Sequence, residues 1–307
     1  MAMFAQQLPR GPWRTRFAPA PTGYMHLGHV VNALHVWGIA RAFGGTIVLR
    51  IEDHDRTRCR PEFETALLDD LTWLGLDADD GTINTYAQHP HAYRQSDNNA
   101  RYAAALAQLE TAGVVYACNC TRLDIAHHSL CATREGGEEL RYPGTCRDRH
   151  VPSASTPARR VRIDDAQERF DDMIRGPQLQ DPSADCGDVL IRDRNGNWTY
   201  QFAVTVDDMA QSIGVIIRGV DLLSSSGRQR HMARLLGRAR MPLLMHHPLL
   251  VHADGAKLSK ASGDTSLAKR RSDGATPSEL FGEAALRSGL IATYRPIDVA
   301  ELPLLFL

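Results

Sequence analysis

The chain has 307 residues, is 43% hydrophobic and 23% charged, and carries 35 lysines and arginines against 36 aspartates and glutamates. This composition excludes disordered, collagen-like and membrane-spanning classes, and a formal net charge of -1 means that a polyanion would be held by local patches rather than an overall basic field. The length allows two domains, or one large domain with an insertion.

Among the cations only Lys257, Lys260 and Lys269 are lysines, so the positions where lysine survives stand out. No apolar run is long enough for a secretory signal or a membrane span, and the chain reads as cytoplasmic. Of the six cysteines, Cys118, Cys120, Cys131 and Cys146 cluster, while Cys59 and Cys186 lie apart. In a reducing compartment that clustering favours a metal over disulfides.

In chain order, RFAPAPTGYMHLGH (residues 16–29) reads as an extended segment and a glycine turn, and VVNALHVWGIARAF as a helix. TIVLRIED follows Gly44-Gly45 as a buried strand, which completes a βαβ unit. Pro61–Leu74 and Tyr93–Ala112 carry helical spacing, the former with proline at a helix start. From about residue 116 to 185 the apolar period fails, as expected of an insertion held together by something other than a core. WTYQFAVTVDDM and IGVIIRGVDLL then read as buried strands ending in acidic residues, and SSGRQRHMARLLGRA as a helix. After PLLMHHPLLV come the glycine loop HADGAKLSKASGD and about 45 residues that are helical at most in part. The expected fold is α/β, a doubly wound parallel sheet, Rossmann-like, with ligands at the carboxyl ends of its strands. It divides into a first catalytic half at 12–115, an insertion at 116–188, a second catalytic half at 189–240, and a loop with a short C-terminal helical segment at 241–307.

Two motifs carry chemistry. His26-Leu27-Gly28-His29 lies between strand and helix, where unpaired N–H groups and the helix dipole attract phosphate and two imidazoles add donors for a pentavalent phosphorus. Gly28 lets a nucleotide ring approach the backbone. Lys257-Leu258-Ser259-Lys260, in a glycine-flanked loop, can close over a triphosphate as pyrophosphate leaves.

Together, RFAPAPTGYMHLGH and KLSK resemble the two signatures of class I aminoacyl-tRNA synthetases, specifically the glutamyl subgroup, and the resemblance runs from about residue 14 to 261. It implies an ATP site of His26, Gly28, His29, Lys257, Ser259 and Lys260, in which His26, His29, Lys257 and Lys260 act on the phosphates and Mg²⁺ comes with ATP. It also implies a glutamate site of Arg16, Phe17, Ala18, Pro19, Ala20, Glu52, Tyr200 and Arg218. The chemistry agrees: Arg16 and Arg218 can each fork onto a carboxylate, Glu52 can take the ammonium, and the Tyr200 hydroxyl can reach the side-chain end. One departure, Ala261, stands where relatives often have serine and leaves both lysines intact.

The chain stops 47 residues after Lys260, too few for a helical anticodon-binding domain. In that it resembles the glutamyl-queuosine tRNA(Asp) synthetases, which implies ATP-dependent activation of L-glutamate and its transfer to queuosine at the wobble position of tRNA(Asp). The alternative is a compact enzyme charging the 3′ end of tRNA(Glu). Cys118, Cys120, Tyr142 and Cys146 match that family's zinc site, implying one structural Zn²⁺. By ligand chemistry alone His127, His128 or Cys131 would be preferred over tyrosine. The expected protein is a monomer without membrane contact, meeting RNA phosphates through Arg141, Arg147, Arg149, Arg159, Arg160 and Arg162 and through Lys269-Arg270-Arg271.

Overall fold

The structure, a computed structural model, describes residues 6–128, 140–149, 151, 158–164, 167–250 and 265–307. The loop with Lys257, Ser259 and Lys260, and also Cys131, lies outside them.

The chain opens with the expected βαβ unit. Strand β1 (Trp13–Phe17) pairs in parallel with β2 (Gly45–Leu49), Trp13 opposite Gly45 and Phe17 opposite Leu49. Between them runs helix α1 (Leu27–Ala42), buried on nearly every side from Val30 to Ala40. Such an all-round apolar helix requires cover on every side. The sheet supplies one side, and the C-terminal segment supplies the other: the helix Pro277–Arg287 and the 3₁₀ turn Val299–Leu305 fold back onto α1. Gly38 makes the approach possible, since a Cβ there would stand 2.3 Å from the Phe306 ring.

Farther along the chain, β8 (Val215–Gly219) pairs in parallel with β9 (Leu243–His247), β9 with β5 (Glu168–Asp172), and β5 antiparallel with β6 (Gly176–Gln180). The amide of Gly214 donates to the Arg14 carbonyl at 2.9 Å, which sets β8 beside β1. The strands therefore follow in the order β2-β1-β8-β9-β5-β6, parallel except at the last. A separate antiparallel sheet joins β3 (Val115–Cys118), β4 (Ala158–Val161) and β7 (Val189–Arg192).

Two sequence expectations need correction. The run from Trp198 to Met209 is a helix, Tyr200–Ala210, rather than a strand. A short, wholly buried apolar run carries no period that separates the two states, and tertiary contact decides. Here Phe202, Ala203 and Val206 face an apolar cluster, while Asp207 and Asp208 point to arginines. The segment from 116 to 185 also shares in an apolar core: Val161 and Ile163 pack with Tyr102, Phe202 and Met232 of the catalytic half. Only the small cluster of Cys118, Ile125, Tyr142, Cys146 and Ala158 is local to it. No helix among the described residues is long and apolar enough to cross a membrane.

Candidate active site and metal centre

A cavity of about 600 Å³ opens at the carboxyl ends of β1, β8 and β9, where parallel α/β sheets bind ligands. Its wall brings together Arg16, Phe17, Ala18, Pro19 and Ala20 from the end of β1, Glu52 beyond β2, Tyr200 from its helix, and Arg218 from β8. His26, Gly28 and His29 line the same space, and residues 247–250 lead from it toward the loop outside the described residues.

The two histidines combine capping with exposure to the cavity. His26 is the N-cap of α1: its Nδ1 accepts from the Gly28 amide at 3.1 Å, and its own amide donates to His29 Nδ1 at 3.1 Å. This is the capping-box arrangement with imidazoles in place of hydroxyl and carboxylate. A neutral ring whose Nδ1 accepts carries its proton on Nε2. A Cβ at Gly28 would stand 2.9 Å from the His26 ring, so glycine is what admits this cap.

The deep end of the cavity is a charge network. Arg50, fully buried, gives Nη1 to Asp208 at 2.7 Å and Nη2 to Glu52 at 2.8 Å. Arg16 also donates to Asp208, at 3.1 Å. Burial disfavours the Arg50 charge, but Asp208 and Glu52 reverse this and hold its pKa above the ordinary guanidinium value. Burial works against Asp208 in the same way, and Arg16 and Arg50 hold it below the usual carboxylate range. The Tyr200 hydroxyl is pushed up, first by burial and then by Glu52, so it stays a protonated donor.

Arg218 differs from these. It is 4% exposed, and it donates to His246 Nε2 at 3.0 Å, Gln229 Oε1 at 2.7 Å and Ser226 Oγ at 2.9 Å and also bonds the Tyr200 hydroxyl, all neutral groups. No carboxylate among the described residues lies within ion-pair distance of it, and burial pulls its pKa below the ordinary value. A buried cation without a counter-ion is expensive, and a ligand carboxylate relieves that cost. Three guanidiniums, Arg16, Arg50 and Arg218, against two carboxylates, Glu52 and Asp208, leave one net positive charge. Zwitterionic glutamate carries one net negative charge.

A family model for class I tRNA synthetases (E and Q), catalytic domain, matches residues 12–292. The chain belongs to the class I glutamyl and glutaminyl tRNA synthetases. Within that family it is 41% identical to a glutamyl-Q tRNA(Asp) synthetase of Symbiobacterium thermophilum, across 94% of this chain and 90% of that one. It is 39% identical to glutamate–tRNA ligase 1 of Acidithiobacillus ferrooxidans, where it spans 55% of the relative's length. A solved glutamate tRNA ligase from Elizabethkingia meningosepticum, in complex with its amino acid, superposes with a TM-score of 0.77 at 25% identity, over 95% of this chain and 64% of that one. As a class I synthetase the chain is a ligase, and the mixed α/β parallel-sheet fold agrees with the sequence reading.

In the insertion, the sulfurs of Cys118, Cys120 and Cys146 lie within 4.8 Å of one another, those of Cys120 and Cys146 at 3.5 Å. The Tyr142 hydroxyl stands 3.4 Å from Cys118 Sγ and 3.7 Å from Cys120 Sγ. A tetrahedral ion with bonds of about 2.3 Å sets neighbouring ligand atoms about 3.7 Å apart, so three sulfurs and one oxygen at these spacings fit zinc. They are too far apart for a disulfide. Of the alternative fourth groups, His127 is exposed and Cys131 lies outside the described residues.

Arg160, expected at the surface, is buried instead: it donates to Cys118 Sγ at 3.4 Å, and its guanidinium lies 3.8 Å over the Tyr142 ring. Three thiolates and a phenolate around one divalent ion would carry excess negative charge, which this buried arginine would offset. Arg147 likewise turns inward onto Asp188. Composition and spacing gave no sign of Asp208, His246 or Asp172, whose partners lie far away in the chain. The only local signal was an acidic pair, Asp207-Asp208, inside an apolar run.

Proposed function

We propose that the protein activates L-glutamate with ATP to glutamyl-adenylate and transfers the glutamate to queuosine at the wobble position of tRNA(Asp). The observation that carries the glutamate assignment is Arg218, a buried cation whose hydrogen-bond partners are all neutral, in a pocket with one net positive charge. Arg16 and Arg218 hold the two carboxylates, Glu52 the ammonium, and the Tyr200 hydroxyl donates to the side-chain end. The α-carboxylate attacks the α-phosphorus and pyrophosphate leaves. No protein nucleophile is needed, since positioning and charge stabilisation carry the step.

His26 and His29 act through their Nε2 protons, with the adenine near Gly28; Lys257, Ser259 and Lys260 close on the phosphates, and Mg²⁺ arrives with ATP. Cys118, Cys120, Tyr142 and Cys146 hold one Zn²⁺, which cross-links the insertion. The queuosine assignment is supported by the name and near-full-length match of the Symbiobacterium relative. The protein is read as a cytoplasmic monomer.

Pyrophosphate exchange with glutamate, measured without tRNA, is expected in the purified protein, and its absence removes the activation step. Labelled glutamate is then offered to tRNA(Asp) with and without queuosine. Label on the queuosine form alone, recovered after nuclease digestion in the anticodon fragment and not in the 3′-terminal nucleoside, is the expected result. The 39% identity to a glutamate–tRNA ligase favours a second reading, charging of tRNA(Glu), in which label resides on the 3′ adenosine.

A further inference from the structure

We infer that Asp172 and His246 form a buried relay that positions Arg218 for the substrate carboxylate while leaving its charge unneutralised. This rests on the reading of Arg218 as a glutamate anchor. Neither residue lines the cavity, and both are essentially out of solvent, at 2% and 0% exposure. The Asp172 carboxylate is fixed by its own hairpin, Oδ1 accepting from the amides of Ile174 at 3.0 Å and Arg175 at 2.9 Å. Its Oδ2 lies 2.6 Å from His246 Nδ1, and His246 Nε2 lies 3.0 Å from Arg218 Nε.

The proton positions follow from the chemistry of the three groups. A guanidinium N–H can only donate, so His246 Nε2 must present a lone pair, and the single ring proton sits on Nδ1, where it donates to Asp172. The groups facing the ring agree. Asp172 comes from β5, Arg218 from β8, Ser226 from the helix Ser226–Leu235 at 3.3 Å, and Arg175 donates to the His246 carbonyl. Burial, with Arg218 and Arg16 beside it, holds the ring neutral below its ordinary pKa, against the pull of Asp172.

This device differs from the one at the other end of the pocket. Arg50 is held by carboxylates in direct contact, which spends its charge inside the protein. With an imidazole interposed, Arg218 is oriented through Nε while the carboxylate stays one ring away. Together with Gln229 and Ser226, the relay occupies three of its five N–H groups. The remaining two, one on each Nη, lie beside the Tyr200 hydroxyl, which also hydrogen-bonds the guanidinium, and are where a ligand carboxylate would be accepted.

The test exploits the tautomer. Asp172→Asn replaces the acceptor by an amide that can donate to Nδ1, which moves the ring proton to Nε2 and sets N–H against N–H. The KM for glutamate in pyrophosphate exchange is expected to rise about 10- to 100-fold, the worth of a hydrogen bond to a charged group, with the KM for ATP unchanged. His246→Gln retains an acceptor toward Arg218 and a donor toward residue 172. It should hold the glutamate KM within about threefold and remove the acid limb of its pH profile. Adding His246→Gln to Asp172→Asn should recover little, because the new amide at position 172, its oxygen held by the Ile174 and Arg175 amides, sets its N–H against the N–H end of a glutamine whose oxygen faces Arg218.

A His246→Gln variant that loses glutamate as strongly as Asp172→Asn, or a change in kcat with the glutamate KM unmoved, overturns the relay. Nitrogen NMR of the unmodified protein decides without any variant: His246 is expected neutral with its proton on Nδ1 at pH 7.5, and a proton on Nε2 refutes the idea. If the unmodified protein shows no glutamate-dependent exchange, the substrate reading fails instead, whatever the NMR reports.

Discussion

The pocket and the cysteine cluster both take polar groups out of water, and they stabilise them in opposite ways. In the pocket, Arg16, Arg50, Asp208 and Glu52 satisfy one another across β1, the end of β2 and the helix Tyr200–Ala210. Each of these charges has a partner within the chain, Arg16 through its Nε, whereas Arg218 has no carboxylate at ion-pair distance among the described residues. In the insertion, three sulfurs and a phenol crowd together around a cluster of five buried residues, with Arg160 as the only cation found against them among the described residues. The strands of the main sheet can therefore assemble the pocket before any ligand arrives, whereas the sulfurs of the insertion, once ionised, would need more positive charge than Arg160 supplies, as a zinc ion would provide.

The largest effect separates the two kinds of arginine within the pocket. Arg50→Met strands Asp208 and Glu52 without their shared partner, and a broken buried ion pair costs about 3–5 kcal/mol, so a clear drop in the urea midpoint is expected. Arg218→Met strands no carboxylate. It should leave the urea midpoint level or higher while lowering kcat/KM for glutamate activation about 100- to 1000-fold, the loss expected when a ligand charge loses its buried partner. If Arg218→Met destabilises as much as Arg50→Met, the contrast fails.

The contrast between pocket and insertion is sharpened by chelation. Removing zinc should abolish hydrogen-exchange protection in β3 and in residues 140–149 while β1, β8 and β9 keep theirs, and simultaneous loss across both would show one cooperative unit. Arg160→Met should weaken zinc retention against a competing chelator about 10- to 100-fold, the usual scale for a group supporting the ligands. Unchanged retention removes Arg160 from the site.

A separate, pH-dependent effect, absent at neutral pH, belongs to the sheet side of α1. His35 and His247 stack at 4.5 Å, and burial lowers their pKa values to about 3 and about 4. Both values lie below the unfolded value of 6.5, so between about pH 6.5 and pH 4 the unfolded chain binds protons that the folded one refuses. Stability should be flat above that window and fall as the pH drops through it, by up to about 1.4 kcal/mol per pH unit for each ring. His35→Leu should reduce the slope of urea midpoint against pH, and an unaltered slope would assign it to other groups.

Much of the first half was legible along the chain. A glycine turn between an extended segment and a helix, then a β-branched run, is a local pattern with one common solution, and β1, α1 and β2 follow it. The helix Tyr200–Ala210 was not legible: its eleven residues bury one face in an apolar cluster and turn the other onto arginines, and that second face reads as a strand's polar end. Likewise Arg160 reads as one more surface cation until its position against Cys118 is known.

By itself the sequence determined the elements whose signals are local and the signature residues whose chemistry is written in their type: two imidazoles at a helix start, arginines for carboxylates, thiols for a metal. Tertiary structure decided which charges are already paired. Arg16, Arg50 and Arg218 are the same residue in the sequence. Only the fold sets Asp208 against the first two and a neutral imidazole against the third, because an ion pair depends on a distance of about 3 Å between atoms contributed by elements far apart in the chain.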